Sequence, residues 1–157
     1  MLETQHLHWP DEAACAACAT QLARHGELRN AFHNTFITLH GELGAGKTTF
    51  VRHLLHALGV AGRVKSPTYA VLESYELPGL LISHFDFYRF NDPREWHDAG
   101  FRDVFAGPGL KLAEWPEKAA AVLPPPDLAL HLQARDEHWR DVTLHAHSEC
   151  GLALLRA

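Results

Sequence analysis

Apolar residues along this chain switch repeatedly between a period of two and a period near 3.6, and the switches outline an α/β protein. Residues 35–40 are β-branched and alternating, as a buried strand requires, and residues 49–58 carry apolar side chains at helical spacing until Gly59 stops them. Ahead of them an alanine-rich stretch, residues 11–25, predicts a helix capped by Gly26. Residues 69–75 and 80–85 read as strands on either side of the turn residues Pro78 and Gly79, and so as a hairpin. Short helical pieces follow Pro93, a strand occupies 110–113 and a short helix 117–122, and Pro124, Pro125 and Pro126 form a stiff breaker. Residues 128–134 and 140–146 alternate like antiparallel neighbours, and 152–155 predict a last strand.

Length and composition change this picture little. At 157 residues and 46% hydrophobic content, without repeats or low-complexity tracts, residues 1–157 suit a single domain. A net charge of −5 argues against a chain that grips nucleic acid alone, so any RNA is expected to be held by a partner. There is no basic segment leading an apolar run, nor a stretch approaching the roughly 20 apolar residues of a membrane span, so a cytoplasmic protein without a membrane partner is expected. Cys15, Cys18 and Cys150 cannot all pair, which suits a reducing compartment; Cys15 and Cys18 read as small buried residues on one helix face. His131, His145 and His147 read as solvated or strand-face histidines, since no two-histidine-plus-carboxylate spacing nominates a metal centre.

The chemistry is concentrated between the strand at 35–40 and the helix after it. Gly41-Glu42-Leu43-Gly44-Ala45-Gly46-Lys47-Thr48 is a complete G-x-x-x-x-G-K-[ST] phosphate-binding loop, entered by a strand and left by a helix as its chemistry demands. Backbone N–H groups of 41–49, up to Thr49, are expected to surround the phosphates of ATP, reinforced by the positive helix terminus. Lys47, expected to be exposed there, supplies a point charge, and Thr48 a hydroxyl for Mg2+. Two acids end strands: Asp86 follows residues 81–85, and Glu114 follows 110–113. Ligands of open α/β sheets collect at strand carboxyl ends, so both acids are expected at the crevice of Lys47, one holding the metal and the other orienting a water for attack on the γ phosphate. Thr68 lies in a loop suited to sensing the γ phosphate or to a plain proline turn; Arg89 and Trp115 are weaker candidates, Trp115 reading first as core.

Residues 41–50, 64–69, His84-Phe85-Asp86-Phe87-Tyr88-Arg89 and Glu114-Trp115-Pro116 closely resemble the bacterial tRNA threonylcarbamoyladenosine biosynthesis ATPase family, TsaE, also called YjeE. The resemblance implies a single-domain P-loop NTPase fold with a mixed, mainly parallel sheet flanked by helices and antiparallel carboxy-terminal strands. It also implies an ATPase, producing ADP, that works with the TsaB and TsaD proteins to place threonylcarbamoyl on the adenosine after the anticodon, touching tRNA through that complex. By that likeness Thr48 and Glu114 bind magnesium, Asp86 is an essential acid of the ATPase site, and Thr68 belongs to a switch-like loop. Trp96, His97 and the triple proline depart from the family pattern, at positions expected to bear on partner contacts rather than on catalysis. Two other classes share the loop: a small-molecule kinase, which needs a lid that is not evident here, and a nucleotide-dependent binding switch with negligible turnover. No Asn-Lys-x-Asp stretch supports guanine reading.

Overall fold

Strand periodicity becomes a single seven-stranded sheet in the computed structural model, which describes residues 1–64, 66–67, 71–98 and 100–156. Its elements are β1 (Glu3–Trp9), α1 (Glu12–Leu28), β2 (Asn34–His40), α2 (Lys47–Leu58), β3 (Leu72–Leu77), β4 (Leu80–Asp86), α3 (Pro93–Asp98), α4 (Phe101–Ala106), β5 (Gly109–Glu114), β6 (Leu128–Ala134), β7 (Arg140–Ala146) and α5 (Glu149–Leu155). The strands lie in the order β1-β7-β6-β2-β5-β4-β3. The inner four, β6, β2, β5 and β4, run parallel, and the outer pairings β1 with β7, β7 with β6, and β3 with β4 are antiparallel. This is the mixed, parallel-centred sheet that the sequence predicts.

One face of the sheet is covered by α1, α2 and α5, whose Leu22, Phe50, Leu54 and Leu154 meet Ile37, Leu39, Leu112, Leu130 and Leu144 from the strands. Among the described residues, the other face is covered beneath β2, β5 and β4 by a cluster of Phe36, Phe85, Phe87, Phe90, Trp96 and Phe101. Trp96, expected among partner-facing positions, is core: it is 4% exposed and stacks on Phe105 at 5.3 Å. The side chain of His97 lies outside the described residues.

Several elements differ from expectation. Residues 152–155 belong to helix α5, not a strand; Ser148 caps its start by accepting the Gly151 N–H at 3.1 Å. Gly151 allows that helix to touch the sheet's edge loop, since a Cβ there would sit 1.9 Å from the Asp127 carbonyl oxygen. Gly26 does not end α1, which continues to Leu28; it is buried within the helix because a Cβ would strike the Phe32 ring at 2.2 Å. Residues 117–122 contain only a 3-10 turn, Pro116–Ala119. Strand β1 is additional to the predicted elements. Pro78 and Gly79 turn the hairpin as predicted, pairing Leu77 with Leu80, while residues 69 and 70 lie outside the described residues.

The half of the second face formed by β6, β7 and β1 carries histidines and is covered by no helix among the described residues. His40, His131, Thr143 and His6 form one row across four strands, and the His40 and His131 rings stack at 4.3 Å. Burial pushes the pKa of His40 down to about 4, helped by His131, Lys47 and His145; His131 and His145 are lowered too, again chiefly by burial. Each ring thus takes a proton more readily in the unfolded chain. Their neutral packing stabilises the fold above the ordinary histidine value of 6.5, and that contribution is lost as pH falls from there towards about 4. In urea unfolding across that window, His40→Gln is expected to reduce the acid loss of stability by on the order of 1–2 kcal/mol, after allowance for partial exposure. A variant curve parallel to wild type throughout would show that His40 does not drive it.

Candidate functional site

The turn from β2 into α2 is held by backbone geometry before any charge is considered. Gly46 caps α2 in the left-handed region at φ 104°, and Gly41 approaches β6 so closely that a Cβ would lie 2.5 Å from the Leu132 carbonyl oxygen. The Ala45 N–H closes the loop onto the Glu42 carbonyl at 3.0 Å. A cleft of about 460 Å³ opens over this turn, and Leu43, Gly44, Gly46, Lys47, Thr48, Thr49, Asp86 and Glu114 line it together with Tyr88, Arg89 and Trp115. Gly41 and Glu42 lie instead along a neighbouring hollow beside Trp115 and Glu117. Ala45 is buried and faces a smaller hollow with Trp9, Asp11, Cys15 and Thr49. Thr68 lies outside the described residues.

Parallel pairing brings the two acids beside the loop. Glu114 ends β5 and pairs in register with Leu39 of β2 on one side and Asp86 of β4 on the other. The Thr48 hydroxyl donates to Glu114 at 2.8 Å to Oε1 and 3.0 Å to Oε2. On the far side His84 Nε2 lies 2.7 Å from Glu114 Oε2, with both residues buried. Asp86 is held differently: its Oδ2 accepts the Ser66 hydroxyl at 2.8 Å and its Oδ1 the Tyr88 N–H at 3.0 Å. One acid is therefore embedded beneath Thr48 and the other stands at the rim of the cleft.

Lys47 corrects the expectation of an exposed side chain. It is 5% exposed; its ammonium donates to the Gly41 carbonyl and lies 3.7 Å from the centre of the Trp115 ring. Burial lowers its pKa, opposed by the nearby carboxylates of Glu114, Glu117, Asp86 and Glu42. Trp115 is accordingly a wall of the site as well as a flank of the aromatic cluster.

Arg140 was not among the sequence-derived candidates. From the first position of β7 its Nε donates to the Ala45 carbonyl at 2.9 Å and its Nη2 to Gly44 at 3.4 Å, while Nη1 bonds the carbonyls of Asp136 and Trp139. No local pattern marks it, because the loop it braces is 95 residues away in sequence. Among the described residues no group of three His, Cys, Asp or Glu side chains is arranged to hold a metal ion. The oxygen donors at Thr48 and Glu114 suit a hard cation that takes its remaining ligands from phosphate and water.

Known proteins resemble this chain in sequence and in fold. The family model described as "Threonylcarbamoyl adenosine biosynthesis protein TsaE" matches residues 9–142. A Haemophilus influenzae protein named tRNA threonylcarbamoyladenosine biosynthesis protein TsaE is 40% identical over 121 residues, 77% of this chain and 76% of the relative. A Bacillus subtilis protein of the same name is 36% identical over 110 residues, 70% of this chain and 68% of the relative. The crystal structure of Bacillus subtilis YdiB superposes with a TM-score of 0.79 at 26% identity, covering 99% of this chain and 93% of that one.

If Arg140 braces the loop, Arg140→Ala should raise amide hydrogen exchange across residues 41–46 by at least about tenfold, the loss expected for a hydrogen bond or two of net strength near 1 kcal/mol. Exchange at wild-type rates would mean that the glycine turn holds itself.

Proposed function

The chain belongs to the TsaE family, which acts in tRNA threonylcarbamoyladenosine biosynthesis, and from that premise we propose that it is a magnesium-dependent ATPase serving a TsaB and TsaD complex. The observation that carries the proposal is the grouping, in one cleft, of the α2 amino terminus, Lys47, the Thr48–Glu114 pair and Asp86. Each member suits triphosphate chemistry. The open end of α2 presents N–H groups and a partial positive charge to phosphate. Lys47 gives up the Gly41 carbonyl for phosphate oxygens, a stronger acceptor for a desolvated ammonium. The small hollow beyond Gly46, bounded by Trp9, Asp11 and Cys15, is continuous with the loop and suits the base.

Thr48 and Glu114 would hold magnesium, directly or through water, and the ion would neutralise charge on the β and γ phosphates. Asp86, at the rim, would orient a water for in-line attack, its carboxylate held by the Ser66 hydroxyl and the Tyr88 N–H. Products are ADP and phosphate. The exposed Leu43 and Tyr88 beside the cleft leave it open on the side where a partner would exclude water, so hydrolysis by the chain alone should be slow. Contact with tRNA would run through the complex.

Release of ADP, measured with and without TsaB and TsaD, tests the proposal directly. An increase of at least about tenfold is expected with the partners, equivalent to roughly 1.4 kcal/mol of transition-state stabilisation. Undetectable turnover in both conditions would favour a binding switch. Lys47→Ala should largely remove ATP binding in calorimetry and stop sustained tRNA modification; modification through many cycles without Lys47 would remove the energising role.

The acids should separate. Asp86→Asn is expected to keep ATP affinity and lose hydrolysis, since aiming a water matters mainly in the transition state. Glu114→Gln should instead weaken the magnesium dependence of nucleotide binding. Normal hydrolysis by both variants would contradict both assignments.

A further inference from the structure

The imidazole of His84 is fully buried on β4, on the face that Ile82 turns toward α2. Ile82 and Leu112 are its apolar neighbours in the sheet on this face, and an imidazole buried here carries a desolvation cost that a leucine would not. Only half of its hydrogen-bonding capacity is used. Nε2 meets Glu114 Oε2 at 2.7 Å, whereas Nδ1 is buried with no partner among the described residues. A polar ring kept in the core with one nitrogen unsatisfied points to what the other nitrogen does.

That nitrogen acts on Glu114, and Glu114 acts on Thr48. Facing a carboxylate oxygen, Nε2 carries the proton and donates it, which fixes the rotation of the carboxylate at the end of β5. The carboxylate so fixed accepts the Thr48 hydroxyl proton on both oxygens, at 2.8 and 3.0 Å. With its proton committed to Glu114, the hydroxyl presents lone pairs to the cleft. Those are what a cation needs from Thr48.

We infer that His84 is the positioning residue of the magnesium site, locking Glu114 so that the Thr48 hydroxyl is turned to the cation. The inference rests on the reading of Thr48 and Glu114 as the magnesium pair. His84 itself is not among the residues that line the cleft.

Calorimetric titration of ADP binding over a range of Mg2+ concentrations tests it without reference to turnover. His84→Leu, close in volume but unable to donate, should raise the Mg2+ concentration needed for half-maximal effect by about tenfold or more, the usual consequence of losing a partner of a metal ligand. Affinity for ADP without Mg2+ should be unchanged. His84→Gln, whose amide can donate from a similar reach, should return the Mg2+ requirement to within about threefold of wild type, against the tenfold loss above. A folded His84→Leu protein with the wild-type Mg2+ requirement, or a glutamine variant as impaired as the leucine one, would overturn the inference. Should the leucine variant fail to fold, His84→Asn, which draws its amide back from Glu114, carries the same comparison against His84→Gln. Glu114→Gln separates the two levels: if it leaves the Mg2+ requirement unchanged the magnesium pair is wrong, and if it shifts the requirement while the His84 variants do not, only the role of His84 is wrong.

Discussion

Everything at the site depends on β2, β5 and β4 running parallel and in step. Parallel strands share one polarity, so the loop that leaves β2, the acid that ends β5 and the acid that ends β4 arrive at the same edge of the sheet. Register does the rest. Side chains alternate with a period of two, which sends His84 and Asp86 to the same face as Leu112 and Glu114, the face on which α2 lies. A slip of one residue in either pairing would drive the polar trio into the aromatic layer of Phe85 and Phe87 and aim apolar rings at Thr48. The dense apolar packing on both sides of β5 is therefore what fixes the polar geometry: every residue of that strand is buried.

The loop itself carries a tension of a different kind. Lys47 is nearly stripped of water yet remains near four carboxylates, a ring face and a backbone carbonyl, so its charge is supported with no close ion pair among the described residues. Trp115 supplies the ring by adopting the left-handed region, at φ 54° just ahead of Pro116, a conformation that costs a bulky residue on the order of 1 kcal/mol or more. That cost is offset by the packing of Trp115 against the aromatic cluster. The amine is thus kept short of water, with a ring face and a backbone carbonyl as its nearest partners and the carboxylates further off.

Legibility in the sequence followed the range of the interactions involved. The phosphate loop is contiguous and its glycines answer to local dihedrals, so Gly46 and the run into α2 are readable from spacing. The strand-end acids are readable because polarity and alternation are local too. What escaped is set by contacts between distant segments. The pairing of β1 with β7 is invisible in residues 3–9, where Leu7 and Trp9 are the sole large apolar residues among polar ones. The four apolar-rich residues 152–155 are too few to tell a helix from a strand, and Ser148 decides it by capping. Gly26 looks like a stop signal until Phe32 is seen to occupy the space of its missing side chain. Lys47 and Arg140 were misjudged or missed for the same reason: Trp115 and the loop carbonyls that receive them lie far along the chain.

The placement of β1 has a consequence for the making of the chain. It leaves the ribosome long before its ladder partner, Arg140–Ala146, is made. Until β7 is made this strand lacks its native ladder partner, and its N–H and C=O groups stand open to any other extended segment. Its composition blunts that danger, for Glu3, Gln5, His6 and His8 break up the apolar positions and leave no adhesive run of the kind that seeds aggregates. The polar character that hides β1 from pattern reading is the same character that lets it wait unpaired.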